Sequence, residues 1–250
     1  MMIRTKSDAS MNKERKDPIE VKICGLTRVS DAVGCAEMGV DAVGCVFFPK
    51  SPRHVTPAAA RDISRAVSPA VGTVGVFVDA DYDTVMQAVE ACGLTAVQLH
   101  GRESPRQVRR IRKQGIRVIK ALFVNGRPAP DRAADYPAHA FLVECAQGPL
   151  PGGNAMAWHY ESIQSIPAYD RIRPLILAGG LSPDTVSRAI EQARPDAVDV
   201  SSGVEQRPGV KSMDKVWKFL AVVSRYRCTP GESGGSIFRP TRTDIIGATG

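Results

Sequence analysis

Glu20-Val21-Lys22-Ile23-Cys24-Gly25-Leu26-Thr27 is the stretch from which the fold can be read. Strand alternation puts Glu20, Lys22 and Cys24 on one face and Val21 and Ile23 on the other. Apolar residues turned toward helices and polar residues turned inward belong to a barrel strand. Gly25 ends the strand abruptly and leaves a thiol at its C-terminal tip, the position where barrel enzymes keep their chemistry. On its own such a cysteine is more often a small buried hydrophobe than a catalyst, so the rest of the chain has to carry the stronger reading.

Downstream, the same strand-then-helix unit recurs. Ser30-Asp31 predict a helix to about Met38, stopped by Gly39. Asp41 to Phe48 is a nearly continuous apolar run, as expected of a strand covered on both faces. Thr56-Pro57 open the next helix with an N-cap and a proline at its first position. Further strands are expected at 72–78, 95–99, 117–122, 140–144, 174–178 and 197–201. Helices are expected at 81–92, from Ser104-Pro105 to Gly115, near 158–165, from Ser182-Pro183 to Ala193 and at 212–226. The Pro- and Ala-rich segment 125–138 supports only a short helix, and Pro151-Gly152-Gly153 lies in a long loop. Eight units of roughly 25–30 residues without a linker point to a single α/β domain, a (β/α)8 TIM barrel over residues 19–227. Residues 1–18 read as a disordered lead-in and 228–250 as a flexible tail. An open doubly wound sheet is the alternative, but no G-x-G-x-x-G follows the first strand.

Bulk composition is consistent with this. The chain has 250 residues, 43% hydrophobic and 24% charged, as a globular domain with a real core has. Its net charge of +7 is spread over helical stretches (Arg106, Arg109, Arg110, Arg112, Lys113) with little aromatic interleaving. That pattern suits a solvated surface and an anionic small molecule better than nucleic acid. Six cysteines at 24, 35, 45, 92, 145 and 228 form no CxxC pair, and no histidine completes a metal site. Reduced thiols in a cytoplasmic protein are therefore expected. Met1 to Asp17 lacks the apolar core of a secretory signal, and no apolar run approaches a membrane span.

Alternation applied to every strand collects a polar set at one mouth: Lys22, Cys24, Gln98, His100, Lys120, Glu144, Asp199 and Ser201. Buried charges are costly when isolated, so such a cluster is either an ion-pair network or a site. Gly179-Gly180 after strand seven and Ser202-Gly203 after strand eight are the loops that bind phosphate in many barrels, because backbone N–H groups can approach an anion where no Cβ intervenes. A phosphorylated substrate between a thiol base, Cys24, and a carboxylic acid such as Glu144 suits aldose–ketose proton transfer. Lys22, on the same face as Cys24, is expected to favour the thiolate, and shielding from water is expected to raise the pKa of Glu144.

The chain resembles the phosphoribosylanthranilate isomerase family in Lys22-Ile23-Cys24-Gly25-Leu26-Thr27, Phe47-Phe48-Pro49-Lys50-Ser51-Pro52-Arg53, Val74-Gly75-Val76-Phe77-Val78, Val97-Gln98-Leu99-His100-Gly101, Leu177-Ala178-Gly179-Gly180-Leu181 and Val198-Asp199-Val200-Ser201-Ser202-Gly203-Val204-Glu205. The resemblance implies an enzyme of tryptophan biosynthesis that performs an Amadori rearrangement without metal or organic cofactor, as a monomer or homodimer. It implies Cys24 as general base, Arg53 on the anthranilate carboxylate, Gly179, Gly180, Ser202 and Gly203 on the phosphate, and Gln98, His100 and Asp199 lining the site. A structural hydrogen-bonded pair is the other reading of His100 and Asp199. One departure matters. The family's acid is usually Asp, in a Leu-Leu-Asp pattern followed by Gly-Gly-Thr-Gly; here Leu142-Val143-Glu144-Cys145 and Gly152-Gly153-Asn154-Ala155 stand instead. Glu is one methylene longer and moves the carboxyl by ~1.5 Å, a scale at which misplacement can cost ~10²-fold. Rival readings are another phosphosugar barrel, such as indole-glycerol-phosphate synthase or an epimerase, and a sugar-phosphate-binding barrel without turnover.

Overall fold

Strand β1 (Glu20–Cys24) pairs in parallel with β2 (Ala42–Val46) on one side and with β8 (Ala197–Val200) on the other, and the second pairing closes the sheet in the computed structural model. Between them run β3 (Gly72–Phe77), β4 (Ala96–Leu99), β5 (Arg117–Phe123), β6 (Ala140–Glu144) and β7 (Leu175–Leu177), each parallel to its chain neighbours. The expected (β/α)8 barrel is thus what the chain forms. The structure describes residues 18–67, 69–144, 160, 172, 174–226 and 236–239. The expected lead-in up to residue 17, Cys145, the loop at 151–153, the helix near 158–165 and most of the expected tail lie outside the described residues.

Helices α1 (Val29–Glu37), α2 (Pro57–Ala66), α3 (Tyr82–Cys92), α4 (Pro105–Arg112), α5 (Val186–Ala193) and α6 (Met213–Val223) lie outside the strands. Their starts follow local chemistry. Thr56, Asp81, Ser104 and Ser212 each accept the N–H of the third residue on, satisfying one of the orphan donors of a first turn. Gly93 ends α3 in the left-handed conformation. Two starts differ from expectation. Helix α1 begins at Val29 behind Arg28, without a side-chain cap. Ser182 opens a turn instead of a helix: its N–H donates to Thr185 Oγ1, and α5 begins only at Val186. The segment 125–138 holds a 3-10 turn, Pro130–Asp135.

Two apolar layers result. Val21, Ile23, Val43, Val97, Leu99, Val118, Leu122, Val143 and Val198 pack outward with the helices, whereas Ala42, Val74, Ala96, Ile119, Ala121, Leu142, Ile176 and Ala197 fill the barrel interior. The inward faces are as expected on β1, β4, β6 and β8, but on β5 the two faces are the other way round. There Ile119, Ala121 and Phe123 point inward, so Lys120, expected at the mouth, lies in the outer layer. It is fully buried and donates to the Leu99 and Gly101 carbonyls and to Glu103 Oε2, at 2.8–3.0 Å. A period of two defines two faces without saying which is inside, and three acceptors, one at the end of β4 and two in the loop after it, make the outer layer affordable for an ammonium. Burial lowers its pKa, and Glu103 opposes that.

Candidate active site

At the C-terminal ends of the strands, β1 contributes Lys22 and Cys24, β4 and its following loop contribute Gln98 and His100, β6 contributes Glu144 and β8 contributes Asp199. All six are buried. Gly44 of β2 makes the space for the thiol: a Cβ there would stand 2.8 Å from Cys24 Sγ and 3.1 Å from Lys22 Cε.

Lys22 Nζ donates to Asp199 Oδ2 at 2.9 Å across the β1–β8 junction. Burial alone would lower the Lys22 pKa, but Asp199 and the neighbouring thiol hold it above its ordinary value. Burial pushes the Cys24 thiol up, and Asp199 adds to this; Lys22 pulls it down without prevailing. Lys22 thus favours the thiolate, as expected from sequence, but desolvation is the larger effect and the thiol stays above its ordinary value.

Across the barrel, the Gln98 amide nitrogen lies 2.9 Å from His100 Nδ1, and His100 Nε2 lies 3.1 Å from Glu144 Oε1. With the amide donating to Nδ1, the ring proton sits on Nε2 and is donated to Glu144. The Phe123 ring meets the His100 ring edge-on and fixes its plane. His100 and Asp199 thus belong to separate networks and do not form the pair considered from sequence. Among the described residues, Gln98 Oε1 and Asp199 Oδ1 are buried acceptors with no hydrogen-bond partner. Such atoms are costly unless a ligand donates to them.

Arg53 is placed over the Gly25 turn, where a Cβ would meet its Cδ at 2.5 Å. Gly25 has φ +75°, so both space and conformation call for glycine. The guanidinium fork is occupied: Nε and Nη2 donate to the two carboxylate oxygens of Glu205 at 2.8 and 2.7 Å. Lys211 Nζ joins them at 2.8 Å from Glu205 Oε1. Burial would raise the Glu205 pKa, but Arg53 and Lys211 together bring it below its ordinary value. Neither Glu205 nor Lys211 was a sequence candidate. Glu205 stood in a quoted motif, but its tie to a residue 152 positions away leaves no local signal.

The two glycine loops meet closely. A Cβ on Gly203 would lie 1.9 Å from the Leu181 carbonyl oxygen. Gly179 and Gly180 have φ +89° and +65°, and Tyr160 donates its hydroxyl proton to the Gly179 carbonyl. Among the described residues, nothing accepts the N–H groups of Gly179, Gly180, Ser202 or Gly203. Clustered N–H groups beside a short helical turn, Ser202–Val204, are the kind of donor set an anion requires.

The fold is a closed parallel (β/α)8 barrel with Cys24 and Glu144 both at its C-terminal end, on β1 and β6. Residues 21–222 match the family model described as N-(5'phosphoribosyl)anthranilate (PRA) isomerase. The N-(5'-phosphoribosyl)anthranilate isomerase of Desulfatibacillum aliphaticivorans is 50% identical over 202 residues, covering 81% of this chain and 91% of that protein. The crystal structure of phosphoribosyl anthranilate isomerase from Thermotoga maritima is 40% identical, with TM-score 0.76, covering 83% of this chain and 99% of that one. A structure of phosphoribosyl anthranilate isomerase in complex with reduced 1-(o-carboxyphenylamino)-1-deoxyribulose 5-phosphate superposes with TM-score 0.73 at 40% identity and the same coverage. The chain belongs to the N-(5'-phosphoribosyl)anthranilate isomerase family.

Proposed function

We propose that the chain isomerises N-(5-phosphoribosyl)anthranilate to 1-(2-carboxyphenylamino)-1-deoxyribulose 5-phosphate in tryptophan biosynthesis, with Glu144 as general acid and Cys24 as general base. The observation that carries the assignment of roles is the placement of these two groups at the C-terminal ends of β6 and β1, facing one interior. Glu144 gives its proton to the furanose ring oxygen, and the C1'–O bond breaks to leave a Schiff base. The Cys24 thiolate removes the C2' proton. The freed pair forms the C1'–C2' double bond as the C1'=N pair moves onto nitrogen, giving an enolamine, which takes a proton at C1', loses its 2'-hydroxyl proton and becomes the ketone.

Surrounding residues support these steps. His100 donates to Glu144 Oε1, which leaves Oε2 to carry the transferred proton and anchors the longer Glu side chain. The unpartnered Asp199 Oδ1 and Gln98 Oε1 are acceptors for substrate hydroxyl or amine protons. The glycine loops hold the phosphate. Arg53 reaches the anthranilate carboxylate by its remaining nitrogen or by exchanging Glu205 for it. The same reading puts the reaction in the cytoplasm, in a monomer or homodimer; the Thermotoga maritima relative is described as dimeric.

The test is the loss of phosphoribosylanthranilate fluorescence with the wild type, Cys24→Ala and Glu144→Gln. Turnover in the wild type and losses of at least ~10²-fold in each variant are expected. Undetectable wild-type turnover would refute the isomerase reading, whereas full activity in Glu144→Gln would remove Glu144 as the acid.

A further inference from the structure

The barrel end away from the active site is hollow in its own sequence. The first inward positions of β2, β3, β4, β6 and β8 are Ala42, Gly72, Ala96, Ala140 and Ala197. The four alanines come from alternate strands and make one layer, and Gly72 of β3 stands in the layer below with Glu20, so both leave a hole where TIM barrels ordinarily carry bulky branched side chains. The hole is filled from elsewhere in the chain. Phe238, within the stretch expected to be a flexible tail, is completely buried in the interior cluster, with Ile237 beside it at 8% exposure. The fit is close: a Cβ on Gly72 would come within 2.9 Å of both the Phe238 Cβ and its carbonyl oxygen.

Polar contacts fix the same segment. Both carboxylate oxygens of Glu20 accept the Ile237 N–H, at 3.2 and 3.1 Å, and Oε2 also accepts the Ser236 hydroxyl at 3.3 Å. Thr95 Oγ1 donates to the Phe238 carbonyl at 3.0 Å. Burial and the nearby Asp41 push the Glu20 carboxyl up to about 7, and the Ser236 and Ile237 donors oppose this. A carboxylate facing inward at the bottom of a barrel thereby acquires partners. Ser236–Arg239 lie beyond residues 21–222, the part that matches the family, so the segment is an addition to the matched barrel.

We infer that the N-terminal end of this barrel is a peptide-binding socket whose occupant is the chain's own Ser236–Arg239, a plug that supplies Phe238 as the missing bottom layer of the core. The plug shuts off from below the interior in which the Lys22–Asp199 pair lies one inward position above Glu20.

The test is a cycle of thermal denaturations on four proteins: the full chain and a chain ending at Tyr226, each with and without Gly72→Ala. Removing the plug is expected to lower Tm by roughly 6–20 °C, the range for deleting a buried Phe side chain from a domain of this size. Gly72→Ala is expected to lower Tm in the full chain, where it collides with Phe238, and to leave Tm unchanged or higher in the shortened chain, where it fills empty space. An equal effect of Gly72→Ala in both chains overturns the inference, as does an unchanged Tm on shortening. Where the shortened chain does not fold, Phe238→Ala takes its place in the cycle. The cost of Gly72→Ala must then shrink in its presence, and simple additivity overturns the inference.

Discussion

Lys22→Met tests the buried centre of the site directly. It removes the only donor to Asp199 Oδ2 among the described residues and leaves a carboxylate, 8% exposed, whose Oδ1 already has no partner. Breaking a buried ion pair from one side costs about 3–5 kcal/mol, because the remaining charge stays buried and unpaired. For a domain of this size that is a Tm lower by roughly 6–20 °C. Asp199→Asn added to Lys22→Met removes the stranded charge, and since neutral replacement of a buried pair is often nearly costless, the double variant should recover about 2–4 kcal/mol. Chemical denaturation of the four proteins measures the coupling. The same substitution acts on catalysis, because Lys22 is the strongest influence pulling the Cys24 thiol down, so its loss drives the thiol pKa higher. A Lys22→Met cost below about 1 kcal/mol, additive with Asp199→Asn, would refute the buried, mutually dependent pair on which this reasoning rests.

The pH dependence of the reaction follows from the Cys24 thiol being raised above its ordinary value by burial. At the ordinary thiol pKa of ~8.5 about 3% would be thiolate at pH 7; here it is less. The thiolate that the proposed reaction needs should therefore form with a midpoint above pH ~8.5 in the wild type, read by pH-dependent thiolate absorbance against Cys24→Ala, and at still higher pH in Lys22→Met; a midpoint near pH 7 would contradict it. Lys120→Met strips Glu103 of its ammonium in the outer layer, so stability should fall by about 3 kcal/mol or more while kcat stays within about twofold; a tenfold fall in kcat would return Lys120 to the mouth. Gly203→Ala forces the two glycine loops apart, since its Cβ would lie 1.9 Å from the Leu181 carbonyl oxygen. A shift on the ångström scale predicts a loss of ~10²-fold in kcat/KM, and steady-state kinetics with near-normal activity would exclude a phosphate cradle there.

Local periodicity carries far in this chain because barrel strands are read by neighbours two residues apart and helix starts by caps three residues apart. β1 and β6 begin and end where the alternation puts them, and Thr56, Asp81, Ser104 and Ser212 cap the helices their chemistry predicts. Lys120 shows the limit. Its alternation is right and its side wrong, because acceptors at the end of β4 and in the loop after it give an ammonium a home in the outer layer.

From sequence alone, then, come the eight-unit barrel, the strand-end positions of Cys24, Glu144 and Asp199, and the two glycine loops, all features of short-range pattern. Tertiary structure alone decides which charges cancel. Burial raises the Cys24 thiol against the pull of Lys22, which Asp199 engages; Glu205 occupies the fork of Arg53; His100 turns to Glu144. It also carries Phe238 from the chain's far end into the gap left by Ala42, Gly72, Ala96, Ala140 and Ala197. Pairings across 44 to 177 positions depend on where closure of the barrel brings side chains together, and the energy of a buried charge is set by those neighbours, not by its own place in the sequence.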